Sequence, residues 1–310
     1  MLFILSSFLI SFLKLFLIIF FIRIGYFIYR KFIRKPHDLL QRYGNNSYVL
    51  ITGASDGIGK EFSFQFAKRG FNLILVSRTL SKLQEVASQI NKMYPNIQIK
   101  VIEYDFTKKT SKENYIETFD NAEIQSLDVS VLINNLGISQ REFYSDYTLD
   151  QIYNHINANV LSQSVLMNIF IKKFLKRSKN KSAILNMSSY SGTMPLVLSS
   201  MYCSTKIFDD YLLRSVAFEN QYRKQCSGNI DFLSVRPLYV DTPSRKGHKR
   251  EFGPITSEMC VQGILDDLGH DIVTNGHWRH CLQAIIFDLV PVQVKNMFRY
   301  IGSRKKFKND

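Results

Sequence analysis

Tyr202-Cys203-Ser204-Thr205-Lys206 sets a tyrosine and a lysine four residues apart at the start of a run with helical periodicity. Positions i and i+4 share a helix face, so the phenol and the ammonium project into one pocket. A free tyrosine titrates at about 10, and a neighbouring cation favours its phenolate, each tenfold gain in ionisation requiring roughly 1.4 kcal/mol. The pair is therefore a usable proton donor or acceptor. The spacing alone is weak, because the chain holds 16 tyrosines and 40 lysines and arginines. Its surroundings give it meaning. Ser182 to Met187 reads as a strand ending in Ser188-Ser189-Tyr190-Ser191-Gly192, and a loop containing Pro195 leads from there to Tyr202. Ser189 thus stands at a strand end from which a loop can bring it to the phenol. Asn159 lies in the middle of a long helical stretch, Leu149 to Leu175.

The elements that position these residues begin at Tyr48-Val49-Leu50-Ile51, an apolar run entering Thr52-Gly53-Ala54-Ser55-Asp56-Gly57-Ile58-Gly59. Phe62, Phe66 and Ala67 then recur at helical spacing. Strand, glycine-rich turn and helix bring backbone N–H groups and a helix amino end against a pyrophosphate, and Gly53, Gly57 and Gly59 stand where side chains would block that approach. A second strand, Asn72 to Val76, ends in Ser77-Arg78-Thr79. An acid at this place grips the ribose 2′-hydroxyl of NAD, whereas an arginine suits the 2′-phosphate of NADP, so Arg78 predicts NADP(H). Leu83, Val86, Ala87 and Ile90 form a helical stripe for the core. Gln98 to Tyr104 runs into Asp105, a place for an acid near adenine, and Val129 to Ile133 stops at Asn134-Asn135-Leu136-Gly137. Strands alternating with helices predict an α/β fold, a doubly wound parallel sheet of Rossmann type with ligands beyond the carboxyl ends of its strands.

The 310 residues, 45% of them hydrophobic, suffice for one substantial core. The formal charge of +14 suits a basic soluble surface, an anionic membrane face or a polyanionic substrate. No nucleic-acid motif accompanies it. Cys203, Cys226, Cys260 and Cys281 have neither metal-ligand spacing nor a disulfide framework, and the six histidines are scattered, so no metal site is expected and the thiols read as reduced. Met1 to Tyr29 is nearly all Leu, Ile and Phe, broken by Lys14 and Arg23. Leu2 to Ile22 is long enough for a membrane-anchor helix, without a cleavage site, and Arg23, Arg30, Lys31, Arg34 and Lys35 place the remainder on the cytoplasmic side. The alternative is a helix lying in the interface. The expected organisation is an anchor with basic flank at 1–35, a linker at 36–47, the dinucleotide-binding catalytic domain at 48–276, and a membrane-proximal segment with basic tail at 277–310.

Taken together, TGASDGIG, NNLG, INANVLS, ILNMSS and YCSTK, in this order and with thirteen positions from Ser189 to Tyr202, resemble the short-chain dehydrogenase/reductase family from about Tyr48 to Thr242. Leu136 replaces the alanine usual in NNAG, and Pro237-Leu238 stands where Pro-Gly is common. The resemblance implies a catalytic tetrad of Asn159, Ser189, Tyr202 and Lys206, with Thr242 on the carboxamide of the cofactor. In ketone reduction it implies that Tyr202 protonates the oxygen, Ser189 holds it, Lys206 binds the nicotinamide ribose and favours the phenolate, and Asn159 holds a relaying water. ITGASDGIGK, LVSRT, LINNLGIS and the late Thr274-Asn275-Gly276 are similar to a membrane-bound branch of very-long-chain 3-oxoacyl-CoA reductases and 17β-hydroxysteroid dehydrogenases. That likeness implies an apolar ketone substrate, either a 3-oxoacyl-CoA or a ketosteroid, and residence in the endoplasmic reticulum facing the cytosol. It also implies a homodimer or association with other elongation enzymes. A catalytically silent membrane scaffold is the reading from another class. Lys306-Phe307-Lys308-Asn309-Asp310 resembles a KxKxx retrieval signal. Arg245, Lys246, Lys249 and Arg250 stand where the fold carries its substrate lid and suit coenzyme A phosphates, a solvated loop, or anionic lipid. Leu282 to Val292 is apolar but short, and either dips into a membrane or caps the substrate tunnel.

Overall fold

The computed structural model describes residues 2–178, 180–223, 229–242 and 255–303. The basic loop with Arg245, Lys246, Lys249 and Arg250, the tail lysines Lys306 and Lys308, and Cys226 lie outside the described residues. The chain divides into two units, Met1–Pro36 and His37–Asp310. The first is a helix, α1 (Leu2–Ile28), continued by a π-helical turn at Tyr29–Ile33. Every side chain from Leu15 to Ile22 is apolar and exposed. Among the described residues no helix is long and apolar enough to cross a membrane, so the expected spanning anchor is without support here.

The second unit opens with α2 (Leu39–Tyr43), whose amino end is capped by Asp38 accepting from Gln41 N at 3.1 Å. Leu39 and Tyr43 are buried, while Arg42 and the Tyr43 hydroxyl both donate to Asp231. Residues read from the sequence as linker are thus folded onto this unit. Then follow β1 (Tyr48–Thr52), α3 (Gly57–Lys68), β2 (Asn72–Ser77), α4 (Leu80–Met93), β3 (Ile99–Glu103), α5 (Lys112–Phe119), α6 (Ala122–Ser126) and β4 (Val129–Asn134). A single long helical stretch comes next, α7 (Leu149–His155), a π-helical segment (Ile156–Leu161) and α8 (Ser162–Phe174). The rest is β5 (Ser182–Met187), α9 (Ser200–Tyr222), β6 (Ile230–Val235), β7 (Val240–Asp241), β8 (Ile255–Thr256), α10 (Ser257–Asp267), β9 (Val273–Thr274), α11 (Trp278–Asp288) and α12 (Val292–Ser303).

Among the described residues the main sheet has seven strands in the order β3-β2-β1-β4-β5-β6-β9, every pair parallel. Strands buried on both faces read as continuous apolar runs, which is how VLI, NLILV and VSVLI read here. One face packs Phe62, Phe66, Leu83 and Ile264 against the sheet, and the other packs Tyr104, Phe119, Phe170 and Leu213. The doubly wound architecture matches the expectation. Because the chain turns outward from β1 to β3 and then returns to β4 on the other side of β1, the crevice between the β1 and β4 ends is the switch point at which such sheets bind ligands.

Candidate active site

At that crevice the β1 and β4 ends are tied together through Thr52. Its hydroxyl accepts from the backbone N–H groups of Asn135 and Leu136, both at 3.0 Å, and the Asn135 amide donates to the Thr52 carbonyl at 2.9 Å. The turn after β1 then runs so close to α3 that a Cβ on Gly59 would lie 2.1 Å from the Gly53 carbonyl oxygen. Gly53 has φ +65°, a left-handed conformation that L side chains rarely adopt. Asp56 caps α3 by accepting from Gly57 N at 2.7 Å, and the hydroxyls of Ser55 and Ser77 meet at 2.9 Å. The result is a cradle of bare backbone at a twelve-residue helix's amino end, which fits a dinucleotide pyrophosphate.

Arg78 is exposed at the β2 end. Asp105, at the β3 end, accepts from both the backbone N–H and the hydroxyl of Thr107. Burial works against its charge, yet those bonds and the nearby Arg78 and Lys108 hold its carboxyl below the ordinary value. Asn134 is turned into the core, donating to Asn186 Oδ1 at 2.9 Å. Its side chain does not line the crevice.

The chemistry-bearing residues meet in a cavity of about 840 Å³, whose wall includes Asn135, Gly137, Ser189, Tyr202, Lys206 and Thr242. Gly192, in the turn after Ser189, allows the convergence, since a Cβ there would lie 2.8 Å from the backbone of Lys206 and Ile207. The strand-end turn therefore rests directly on α9, within the turn that carries the lysine. Lys206 is buried, with its ammonium donating to the Met187 carbonyl at 2.7 Å and to Asp209 at 3.1 Å. Asn159 occupies the π-helical segment, and its side-chain bonds go to Ile138 and Thr205 rather than to Lys206. Its amide accepts from Ile138 N at 2.8 Å and donates to Ile138 O and to the Thr205 hydroxyl, each at 2.9 Å. A π-bulge inside a helix re-aims a side chain, and here it fastens the loop after β4 to α9. Cys203 is packed inside, where burial raises its thiol pKa.

Two contributors escaped the sequence reading. One is Asp209, fully buried beside Lys206, whose carboxyl burial pushes up to about 6 against the bonds from Lys206 and Gln163. The i, i+3 spacing was its only signal. The other is the wall built by Phe287, Val290, Phe298 and Arg299 from α11, α12 and the turn between them. Of the two readings of Leu282 to Val292, capping the chamber is the one this geometry favours. The Tyr190 hydroxyl donates to Asp288 at 2.7 Å, and Asn296 and Arg299 bond the 195–199 loop. The cap is thereby fixed to the segment between Ser189 and Tyr202.

A proton donor, a hydroxyl hydrogen-bond donor and a fixed ammonium thus share one chamber with an apolar wall, next to a dinucleotide-shaped cradle. A family model described as short chain dehydrogenase matches residues 47–251. The very-long-chain 3-oxoacyl-CoA reductase of Anas platyrhynchos is 34% identical over 254 residues, covering 80% of this chain and 77% of that one. A solved 7beta-hydroxysteroid dehydrogenase, 22% identical, superposes with a TM-score of 0.73 over 86% of this chain and 100% of its own. A short-chain dehydrogenase from Sphingobium yanoikuyae in complex with NADPH, 25% identical, has a TM-score of 0.62 over 71% of this chain and 83% of its own.

Proposed function

From the premise that the chain belongs to the short-chain dehydrogenase family, and is thus an oxidoreductase, we propose that it reduces very-long-chain 3-oxoacyl-CoA with NADPH. The observation that carries this reading is the single chamber whose wall holds Ser189, Tyr202 and Lys206 together with the apolar Phe287, Val290 and Phe298, beside the glycine cradle. The name of the 34% identical relative supports the substrate class, and the NADPH complex of the structural neighbour supports the cofactor. The residues fit that cofactor: Gly53, Gly57 and Gly59 leave room for the pyrophosphate, Asp105 stands at the adenine side, and Arg78 offers a guanidinium to a 2′-phosphate. Ser55, Asp56, Ile58, Asn135, Gly137 and Thr242 border the remainder.

A bound dihydronicotinamide supplies the hydride. The chain supplies the rest. Ser189 Oγ, which accepts from Ser191 N at 3.1 Å, keeps its own proton for the ketone oxygen. The Tyr202 hydroxyl gives that oxygen its proton as negative charge grows there. The Lys206 ammonium, held by Met187 and Asp209, offers its remaining N–H to the ribose or the phenol. Asn159 keeps the backbone at Ile138 in place, and a water held there would relay protons to the ammonium.

The proposal extends to contact with a lipid bilayer at the endoplasmic reticulum, with the catalytic unit on the cytosolic side. Its support is the all-round apolar exposure of Leu15 to Ile22 and the basic residues that follow. Burying such a surface in acyl chains gains roughly 25 cal/mol per Å². The exposure of Ile286, Leu289, Phe298 and Ile301, beside a chamber suited to an acyl chain, also supports it.

Following NADPH oxidation by the full chain in detergent, with a chain-length series of 3-oxoacyl-CoA and with a 17-ketosteroid, tests the reading. Turnover of the thioesters, rising with chain length and lost in Tyr202→Phe, is the expected result. Preference for the steroid, or binding of substrate without turnover, refutes it.

A further inference from the structure

Tyr202, Lys206 and Asp209 fall at i, i+4 and i+7 of α9, one face of one helix. Asp209 has no exposure at all, and its Oδ2 accepts from the Lys206 ammonium at 3.1 Å and from the Gln163 amide at 3.0 Å. Its Oδ1 has no partner among the described residues. A buried carboxylate with one oxygen unsatisfied is a costly arrangement. The adjacent Asp210 shows the contrast, being paired with Arg214 and Arg236 and bonded by Ser234, so it serves the junction of α9 with β6. No arginine bonds Asp209 among the described residues. Around it α8 contributes the neutral Gln163, β5 contributes the neutral Asn186, and α9 contributes Lys206 and Asp210. Lys206 is the cation it bonds among the described residues.

We propose that Asp209 is a positioning residue for Lys206: its carboxylate fixes the ammonium beneath the chamber and offsets part of its charge, thereby setting the pH at which Tyr202 loses its proton. The inference rests on the reading of Tyr202 and Lys206 as the proton-handling pair. A lysine held only by the Met187 carbonyl would present its whole charge to the phenol. With Asp209 ionised the phenol keeps its proton to higher pH, which suits a group that must donate. The other charged groups on the chamber wall are Arg141, Lys295 and Arg299, and the further titratable ones are Tyr190 and Tyr239. None of these changes when Asp209 is replaced.

Ultraviolet titration of the full chain, with the Tyr202→Phe trace subtracted, isolates ionisation of this phenol without requiring turnover. In Asp209→Asn the midpoint should fall by about one pH unit, the effect of a charge roughly 10 Å away along two helical turns at an effective dielectric of about 20. Asp209→Glu keeps the charge and should restore the midpoint even where turnover is reduced, a rescue that a merely packing role would not give. Should the asparagine variant not fold, Asp209→Ser removes the same charge and is read in the same way. A midpoint in the neutral variant that coincides with the unaltered chain overturns the proposal. A lowered midpoint in a protein that reduces no ketone upholds it and refutes the reaction proposed above.

Discussion

Gly59→Ala is the sharpest test of the dinucleotide cradle, because the structure fixes how much must give. The added Cβ would lie 2.1 Å from the Gly53 carbonyl oxygen and 2.5 Å from the Asn135 amide nitrogen. Ordinary contact requires the first of these to open by more than about 1 Å. The atom that must yield is backbone, locked on one side by Thr52 and Asn135 and on the other by α3. Overpacking of this kind costs about 1–3 kcal/mol, a fall in Tm of roughly 2–12 °C for a unit of this size. Opening the turn also pulls its N–H groups from the pyrophosphate position, and one lost bond to a charged group, about 1.5–3 kcal/mol, weakens NADPH at least about tenfold. Gly137→Ala is the matched control. Its Cβ would meet the Lys206 ammonium nitrogen at 3.1 Å, so a held side-chain end must give by a few tenths of an ångström where Gly59→Ala demands more than about 1 Å of backbone. It should leave Tm nearly unchanged and lower kcat. Calorimetry and NADPH fluorescence titration on both variants decide the matter. An unchanged Tm and Kd for Gly59→Ala, or equal losses in the two variants, would refute the reasoning.

Arg78→Ala should weaken NADPH by about tenfold to a hundredfold, the worth of a charged hydrogen bond to phosphate, and leave NADH nearly untouched; equal loss for both in paired titrations removes Arg78 from the 2′-phosphate. Asp231→Ala strands the buried Tyr43 hydroxyl and Arg42 together and should cost about 2–4 kcal/mol in urea unfolding, with catalysis retained below the transition. His280 must be neutral in the fold, since Nδ1 accepts from Leu238 N while Nε2 donates to the Tyr239 carbonyl. Burial lowers its pKa from 6.5 to about 4, partly opposed by bonds to the Tyr239 and Asn275 backbone. The unfolded chain takes up the proton first, so this contribution is full above about 6.5, is lost as pH falls toward 4, and totals about 3 kcal/mol. Unfolding free energies at pH 7 and 4.5 should differ less in His280→Phe, and an equal slope in both proteins would reject the assignment.

The chain declared its sheet in local patterns, and the structure reproduces it; the residues expected to do chemistry, Ser189, Tyr202 and Lys206, line one cavity. Apolar runs such as NLILV and VSVLI announce strands buried on both faces, and TGASDGIG announces a turn that only glycine permits. Side-chain direction was not legible in the same way. Asn134 and Asn135 stand side by side in NNLG, yet one points into the core and the other clamps β1, because successive residues leaving a strand face opposite sides. Residues 36–47 read as linker because five helical residues carry too short a period to detect. Their fold comes from a partner 189 positions away, Asp231 on Arg42. Asp209 and Asp210 read alike as ordinary surface acids, since neither the burial of both nor the different partners they find is visible in the sequence.

On the function proposed, chemistry and substrate selection have different origins in this chain but are mechanically joined. Residues 48–242 hold the cradle, Ser189, Tyr202 and Lys206, while α11 and α12 supply much of the apolar wall. The join is a short set of bonds. Tyr190, next to Ser189, donates to Asp288 of α11; Asn296 accepts from Val197 N at 2.8 Å; and Arg299 donates to the Val197 carbonyl at 2.9 Å. Val197 lies in the loop between the serine and the tyrosine. A side chain that pushes the cap outward therefore pulls on the loop that sets their separation, and a displacement of about 1 Å at reacting atoms can cost on the order of a hundredfold in rate. Redesign of the wall for a different ketone body should consequently change kcat as well as KM, unless the bonds of Tyr190, Asn296 and Arg299 are preserved.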